Sequence, residues 1–113
     1  MIFDMAKHEF GIMDTAPIWG ERYDAYEPQK YHCIAVHDDD IVNILSAFDN
    51  VDCYWHTFDV PKKGLAYYGV TLIPPTSHKY FISVMENITE LSACKALFER
   101  AGIEHKFIIH FGI

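Results

Sequence analysis

Basic side chains are scarce in the first half of this 113-residue chain. Residues 1–60 carry twelve acidic groups and only three basic ones, a local charge of −9, whereas residues 61–113 carry +2. With a net charge of −7, the chain lacks the positive surface that binding to phosphate backbones or anionic membranes requires. Cysteine is also sparse. Cys33, Cys53 and Cys94 are an odd number without framework spacing, which points to reduced thiols in a cytoplasmic setting and to small buried hydrophobes. No apolar run approaches the ~20 residues of a membrane span, and Met1–Lys7 lacks the basic flank and apolar stretch of a secretory leader. Neither a glycine-rich phosphate loop nor an internal repeat is present; Gly64, Gly69 and Gly112 stand isolated.

Half of the residues are apolar and 15% are aromatic, a globular composition. The length suits one domain, residues 1–113. Residues 14–30, with Pro17, Gly20 and Pro28 among charges and aromatics, predict an irregular surface arm.

Tyr31–His37 reads as a strand with Ile34 and Val36 on one face. Asp38-Asp39-Asp40 then opens a helix in which Ile41, Ile44, Leu45 and Phe48 recur at helical spacing. Residues 53–58 are aromatic and extended. Pro61–Gly64 is a turn, Gly64 suits a positive φ, and Leu65–Ile73 returns as the second arm of an antiparallel hairpin. Pro74-Pro75 stops that strand, and Thr76 or Ser77 can cap a helix with Phe81, Val84, Met85 and Ile88 on one stripe. Thr89 can cap a second helix carrying Leu91, Cys94, Leu97, Phe98 and Ala101, with Gly102 as its stop and Ile103 as the following hydrophobic contact. The last strand, Lys106–Ile113, is apolar on both faces and belongs inside a sheet. The expected class is α+β, ordered β-α-β-β-α-α-β: a mixed or antiparallel sheet of four or more strands with helices mainly on one face.

Several constellations invite a chemical reading. Three adjacent aspartates beside His37 could attract a divalent cation, but the spacing matches no calcium loop. Capping accounts for them: Asp38 as N-cap, with Asp39 and Asp40 opposing the helix dipole. Cys33-x3-His37 with Cys53-x2-His56 supplies four zinc-type ligands, yet strand parity sends Cys53 and His56 to opposite faces. Cys53, His56 and Asp59 fail as a nucleophile–base–acid set for the same reason. His8-Glu9 is followed by Ile12 where a zinc-protease helix needs its second histidine. His110, in an apolar strand, reads as a hydrogen-bonded core histidine. Neither a catalytic group, a metal nor a cofactor is expected.

The remaining feature is an acidic surface interleaved with aromatics: Trp19, Tyr23, Asp24, Tyr26 and Glu27 in the arm, with Asp38, Asp39 and Asp40 beyond it. Aromatics give large contact area at low entropic cost, and rim carboxylates steer a basic partner. The alternative is that the aromatics fill the core and the acids form a solvated face.

The run Lys63-Gly64-Leu65-Ala66-Tyr67-Tyr68-Gly69-Val70-Thr71-Leu72-Ile73-Pro74-Pro75, with the terminal Ile109-His110-Phe111-Gly112, resembles small immunity proteins of bacterial polymorphic-toxin systems. The resemblance covers the C-terminal half. It implies tight binding to a cognate toxin, without cofactor or turnover, and carries over no catalytic residue. The expected function is therefore a cytoplasmic protein-binding module that occludes a basic partner such as a toxin domain. The competing readings are a small enzyme or ligand-binding domain with a pocket between sheet and helices, and a homodimeric structural subunit.

Overall fold

The computed structural model describes residues 6–113; residues 1–5, on which most of the leader reading rests, lie outside the described residues. The fold is α+β. Strands β1 (Lys7–Ile12), β2 (Ile34–His37), β3 (Asp52–Trp55), β4 (Pro61–Lys63), β5 (Val70–Ile73) and β6 (Ile108–Phe111) form one sheet in the order β2-β1-β6-β5-β3-β4, with every neighbouring pair antiparallel. Helices α1 (Asp38–Val42), α2 (His78–Met85) and α3 (Ser92–Ile103) complete it.

The apolar last strand lies, as expected, within the sheet, between β1 and β5, with all four residues buried. Alternation along β5 and β6 separates two apolar layers. Ile73 and Ile108 join Phe10, Val36 and Cys53 in a core shared with α2 and α3. Val70, Leu72, Ile109 and Phe111 face the other way and pack with Met13, Tyr23, Tyr31 and Tyr54. Residues 13–33 thus cover the face that the helices leave open, with only a 3-10 turn (Pro28–Tyr31) of regular structure. Their approach is close: a Cβ on Gly11 would lie 2.6 Å from the Tyr31 carbonyl oxygen, so β1 needs glycine there.

On the helix side the core is built on aromatic rings. Phe81 stacks on Phe48 at 4.3 Å and on Phe98 at 4.9 Å between ring centroids, and Phe98 meets Phe10 edge-on. The space between sheet and helices is filled by these side chains.

Several local expectations need correction. Two strands join the four expected: β1, second from one edge of the sheet, and β4, in which Pro61–Lys63 is an edge strand and not a turn. Lysines at 62 and 63 suit an unprotected edge. β3 does pair antiparallel with β5, with Tyr54 opposite Leu72, but β4 intervenes in the chain and pairs with the other side of β3, so the hairpin here is β3–β4. Gly64 has the expected positive φ, 82°. Leu65–Gly69 is a loop, and the returning strand begins only at Val70. Tyr31 lies in the 3-10 turn, with His32 left-handed after it, so β2 is shorter than expected.

The expected long helix after Asp38 breaks at Asn43 into α1 and a 3-10 turn, Leu45–Phe48, because β-branched Val42 and Asn43 propagate a helix poorly. The N-cap is His37, whose Nδ1 accepts the Asp39 N–H at 3.2 Å, and Asp38 is the first helical residue. Ser77 occupies the N-cap position of α2, but its hydroxyl donates to the Asp52 carbonyl at 2.6 Å. A 3-10 turn beginning at Thr89 precedes α3, whose N-cap is Leu91. α3 continues through Gly102; Ile103 is 80% exposed instead of making a stop contact, and the left-handed residue is His105.

This packing separates two substitutions in α3. Phe98→Ala should cost about 3–5 kcal/mol by loss of a buried ring, and Ile103→Ala should stay within about 0.5 kcal/mol. Denaturant unfolding of both variants checks the contrast; equal losses would contradict the burial pattern.

Candidate functional site

One end of the sheet gathers most of the chemistry. There β1 begins, β2 and β6 end, and β5 starts. The register places Glu9 beside Phe111 and Phe111 beside Val70, while the His56 N–H bonds to the Val70 carbonyl.

On the helix side of this end, three polar residues replace apolar ones in the strand pattern: His8 in β1, Thr71 in β5 and His110 in β6, each with no exposed surface. A buried polar group must find partners, and these find one another. His8 Nε2 lies 2.9 Å from Asp38 Oδ1, His8 Nδ1 lies 2.9 Å from His110 Nε2, and His110 Nδ1 lies 3.1 Å from Thr71 Oγ1. The Ala66 N–H donates to Thr71 Oγ1 at 2.8 Å, and the Tyr67 hydroxyl donates to both Asp38 oxygens at 2.8 and 2.9 Å. The two imidazoles stack, ring centroids 5.1 Å apart.

Electrostatics follow from this geometry. The Tyr67 and His8 hydrogen bonds hold the Asp38 carboxyl below its usual range, and Asp38 in turn pushes the Tyr67 phenol up to about 12. Burial, and then the neighbouring His8, holds His110 well below 6.5. The network has the letters of a nucleophile, a base and an orienting acid, but a fully buried Thr71 hydroxyl has no access to a substrate. The network therefore holds structure together; it connects α1, three strands and the 64–69 loop.

On the opposite face the arm crosses the same end. Asp24 bonds His56 Nδ1 at 2.7 Å and Arg22 Nε at 2.6 Å, and the Arg22 guanidinium is the main cause of its lowered carboxyl pKa. The Tyr26 hydroxyl donates to Glu9, which pushes the phenol up to about 12, and its ring meets Phe111 edge-on at 5.4 Å. Even so, Tyr26 stays 60% exposed and Trp19 70% exposed, the latter resting edge-on against Phe58. Tyr23 is more structural: half-buried, its hydroxyl accepts the Ile18 N–H and its own N–H donates to the His56 carbonyl. Glu27 is exposed, 3.9 Å from the Lys30 ammonium.

The three aspartates divide. The Asp38 side chain is 17% exposed and turned inward to His8 and Tyr67, while that of Asp39 is 83% exposed; Asp40 is intermediate. The zinc-type residues do not converge: Cys33 packs on the arm-covered face and Cys53 in the helix-covered core. Among the described residues no group of three or more histidine, cysteine or acidic side chains is placed to hold a metal ion. Burial pushes the Cys33, Cys53 and Cys94 thiols up to about 12, so they remain protonated at neutral pH. His56 pairs with Asp24, and Asp59 accepts the Gly20 N–H, so neither joins Cys53 in a catalytic set.

Sequence reasoning placed His110 in a hydrogen-bonded core but missed His8, Tyr67 and Thr71. A usable signal existed for His8: it shares parity with Phe10 and Ile12, so a strand at 7–12 puts a histidine on an apolar face that demands a partner. No family model, curated protein or solved structure matches the chain. No helix among the described residues is long and apolar enough to cross a membrane.

Two outcomes follow. Asp38→Asn, which weakens a part-buried charge-assisted contact, should cost about 1–3 kcal/mol, and Asp39→Asn should stay within about 0.5 kcal/mol in the same unfolding assay. Stability should also fall with acidification. His110 and, through burial, His78 have lowered native pKa values. Below 6.5 the unfolded imidazoles therefore bind protons that the native rings refuse, and stability is complete above that pH and lost progressively beneath it. A denaturation midpoint at about pH 5.5 equal to or above that at about pH 7.5 would contradict this linkage.

Proposed function

We propose that this protein is a protein-binding module, of the immunity type, that occludes a basic partner such as a toxin domain. One observation carries the reading. The arm exposes four acids, Asp14, Glu21, Asp24 and Glu27, against two bases, Arg22 and Lys30, together with Ile18, Trp19 and Tyr26. Large apolar side chains held exposed on a backbone fixed from beneath form a pre-organised contact surface. Carboxylates around them favour fast, electrostatically steered association with a positive partner. Asp39 and Asp40 add negative charge near the start of α1, and Asp38 serves the interior of the fold. The likeness of the C-terminal half to immunity proteins agrees with this reading, which requires neither metal nor turnover.

The test uses tagged protein and lysate of its source organism, washed with rising salt, and compares wild type with Trp19→Ala/Glu21→Lys and with Asp39→Lys/Asp40→Lys. We expect one basic protein retained at about 0.1 M salt and released toward about 1 M, as the screening length falls from about 10 to about 3 Å. The arm variant should lose it at an unchanged unfolding midpoint. Retention that ignores both salt and the arm substitutions would overturn the proposal.

A further inference from the structure

The hydrogen-bond chain beneath the 64–69 loop admits one consistent arrangement of protons when both imidazoles are neutral. The Asp38 carboxylate can only accept, so His8 carries its proton on Nε2 and offers a lone pair at Nδ1. His110 Nε2, 2.9 Å away, must then be the donor, which leaves His110 Nδ1 to accept the Thr71 hydroxyl proton. Thr71 Oγ1 accepts the Ala66 N–H in its turn. Every donor has one acceptor, and the direction runs from loop to carboxylate.

An added proton cannot enter without changing that direction. If His8 is protonated at both nitrogens, it donates through Nδ1, and His110 Nε2 must become the acceptor. His110 then carries its single proton on Nδ1 and donates to Thr71 Oγ1, whose hydroxyl hydrogen rotates away. The net change is one proton taken from solvent, with no oxidation or reduction. The resulting imidazolium lies 2.9 Å from Asp38 Oδ1. A second proton would aim two N–H bonds at each other across 2.9 Å, between two like charges.

We propose that His8 and His110 form a one-proton switch: a single added proton reverses the two hydrogen bonds between His8 and Thr71, leaves His8 donating to Asp38, and bars a second proton while the chain is folded.

The surroundings favour one positive charge. From α1 come Asp38 and, at its exposed start, Asp39, with His37 as the N-cap 3.8 Å from the Asp39 carboxylate. From the loop comes the Tyr67 phenol, its ring 5.3 Å from that of His8, with Tyr68 packed against it. β5 contributes only the Thr71 hydroxyl, β2 sets Val36 opposite His8, and Phe10 of β1 packs on His110 at 4.9 Å. Lys7 and Glu9 pair with each other on the opposite face of β1.

Side-chain ¹⁵N NMR of the histidine-labelled full chain reads the tautomers directly, with ring signals assigned through the backbone. At alkaline pH both rings should show the Nε2–H pattern. On acidification His8 should become imidazolium while His110 converts to the Nδ1–H tautomer at the same midpoint, without itself charging while the chain stays folded. Asp38→Asn, which removes the carboxylate that fixes the His8 proton on Nε2, should mix the alkaline tautomer pattern of both rings; if this variant does not fold, the wild-type tautomer exchange decides alone. Independent titration of the two rings, or two imidazolium rings in the folded protein, would overturn the switch. No partner is needed for this experiment, so it stands or falls apart from the proposed binding function.

Discussion

The central strands must be covered on both faces. Every residue of β5 and β6 is buried, so side chains leave the sheet in two opposite directions and neither can meet water. Apolar area removed from water, worth roughly 25 cal/mol per Å², drives the remaining chain to supply two lids. Helices α2 and α3 form one, with Phe48, Phe81 and Phe98 stacked beneath them. Residues 13–33 form the other, although they have almost no regular structure of their own. That second lid explains why an irregular segment keeps a fixed shape: its tyrosines are tied to Phe111, Glu9 and the backbone at Ile18.

Into this apolar centre the fold admits one polar line. Asp38, His8, His110 and Thr71 line one end of the helix-covered layer, where α1 supplies Asp38 and the 64–69 loop supplies Ala66 and Tyr67. Replacing only one member leaves its neighbour unpaired in a low-dielectric setting, so the members depend on each other more than on the surrounding packing. Two of the four are histidines, which couples this part of the fold to pH in the range where carboxylates and lysines keep their charge.

The arm joins stability to the proposed binding role. Its inward residues, Tyr23 and Tyr31, help close the sheet, and its outward residues, Ile18, Trp19 and the exposed acids, are thereby presented on a supported backbone. Tyr26 does both, one ring edge on Phe111 and most of its surface in solvent. A partner meeting this face would meet a surface already shaped by the demand to cover β6.

Local pattern alone determined the α+β class, the buried last strand and the amphipathic α2 and α3. Each rests on periodicity or on stereochemistry that operates within a few residues, as with Ile108–Phe111 or the positive φ of Gly64. What the tertiary structure decided were matters of distance along the chain. β1 became an interior strand because β6, about a hundred residues away, needed a neighbour. Pro61–Lys63 became an edge strand because β3 had a free side. Asp38 passed its capping place to His37 and turned inward because His8 and Tyr67, 30 and 29 residues away, offered better partners than the start of a five-residue helix. A hydrogen bond between residues 8 and 110 leaves no local periodicity in sequence; it forms because two strands meet in register, and only folding brings them there.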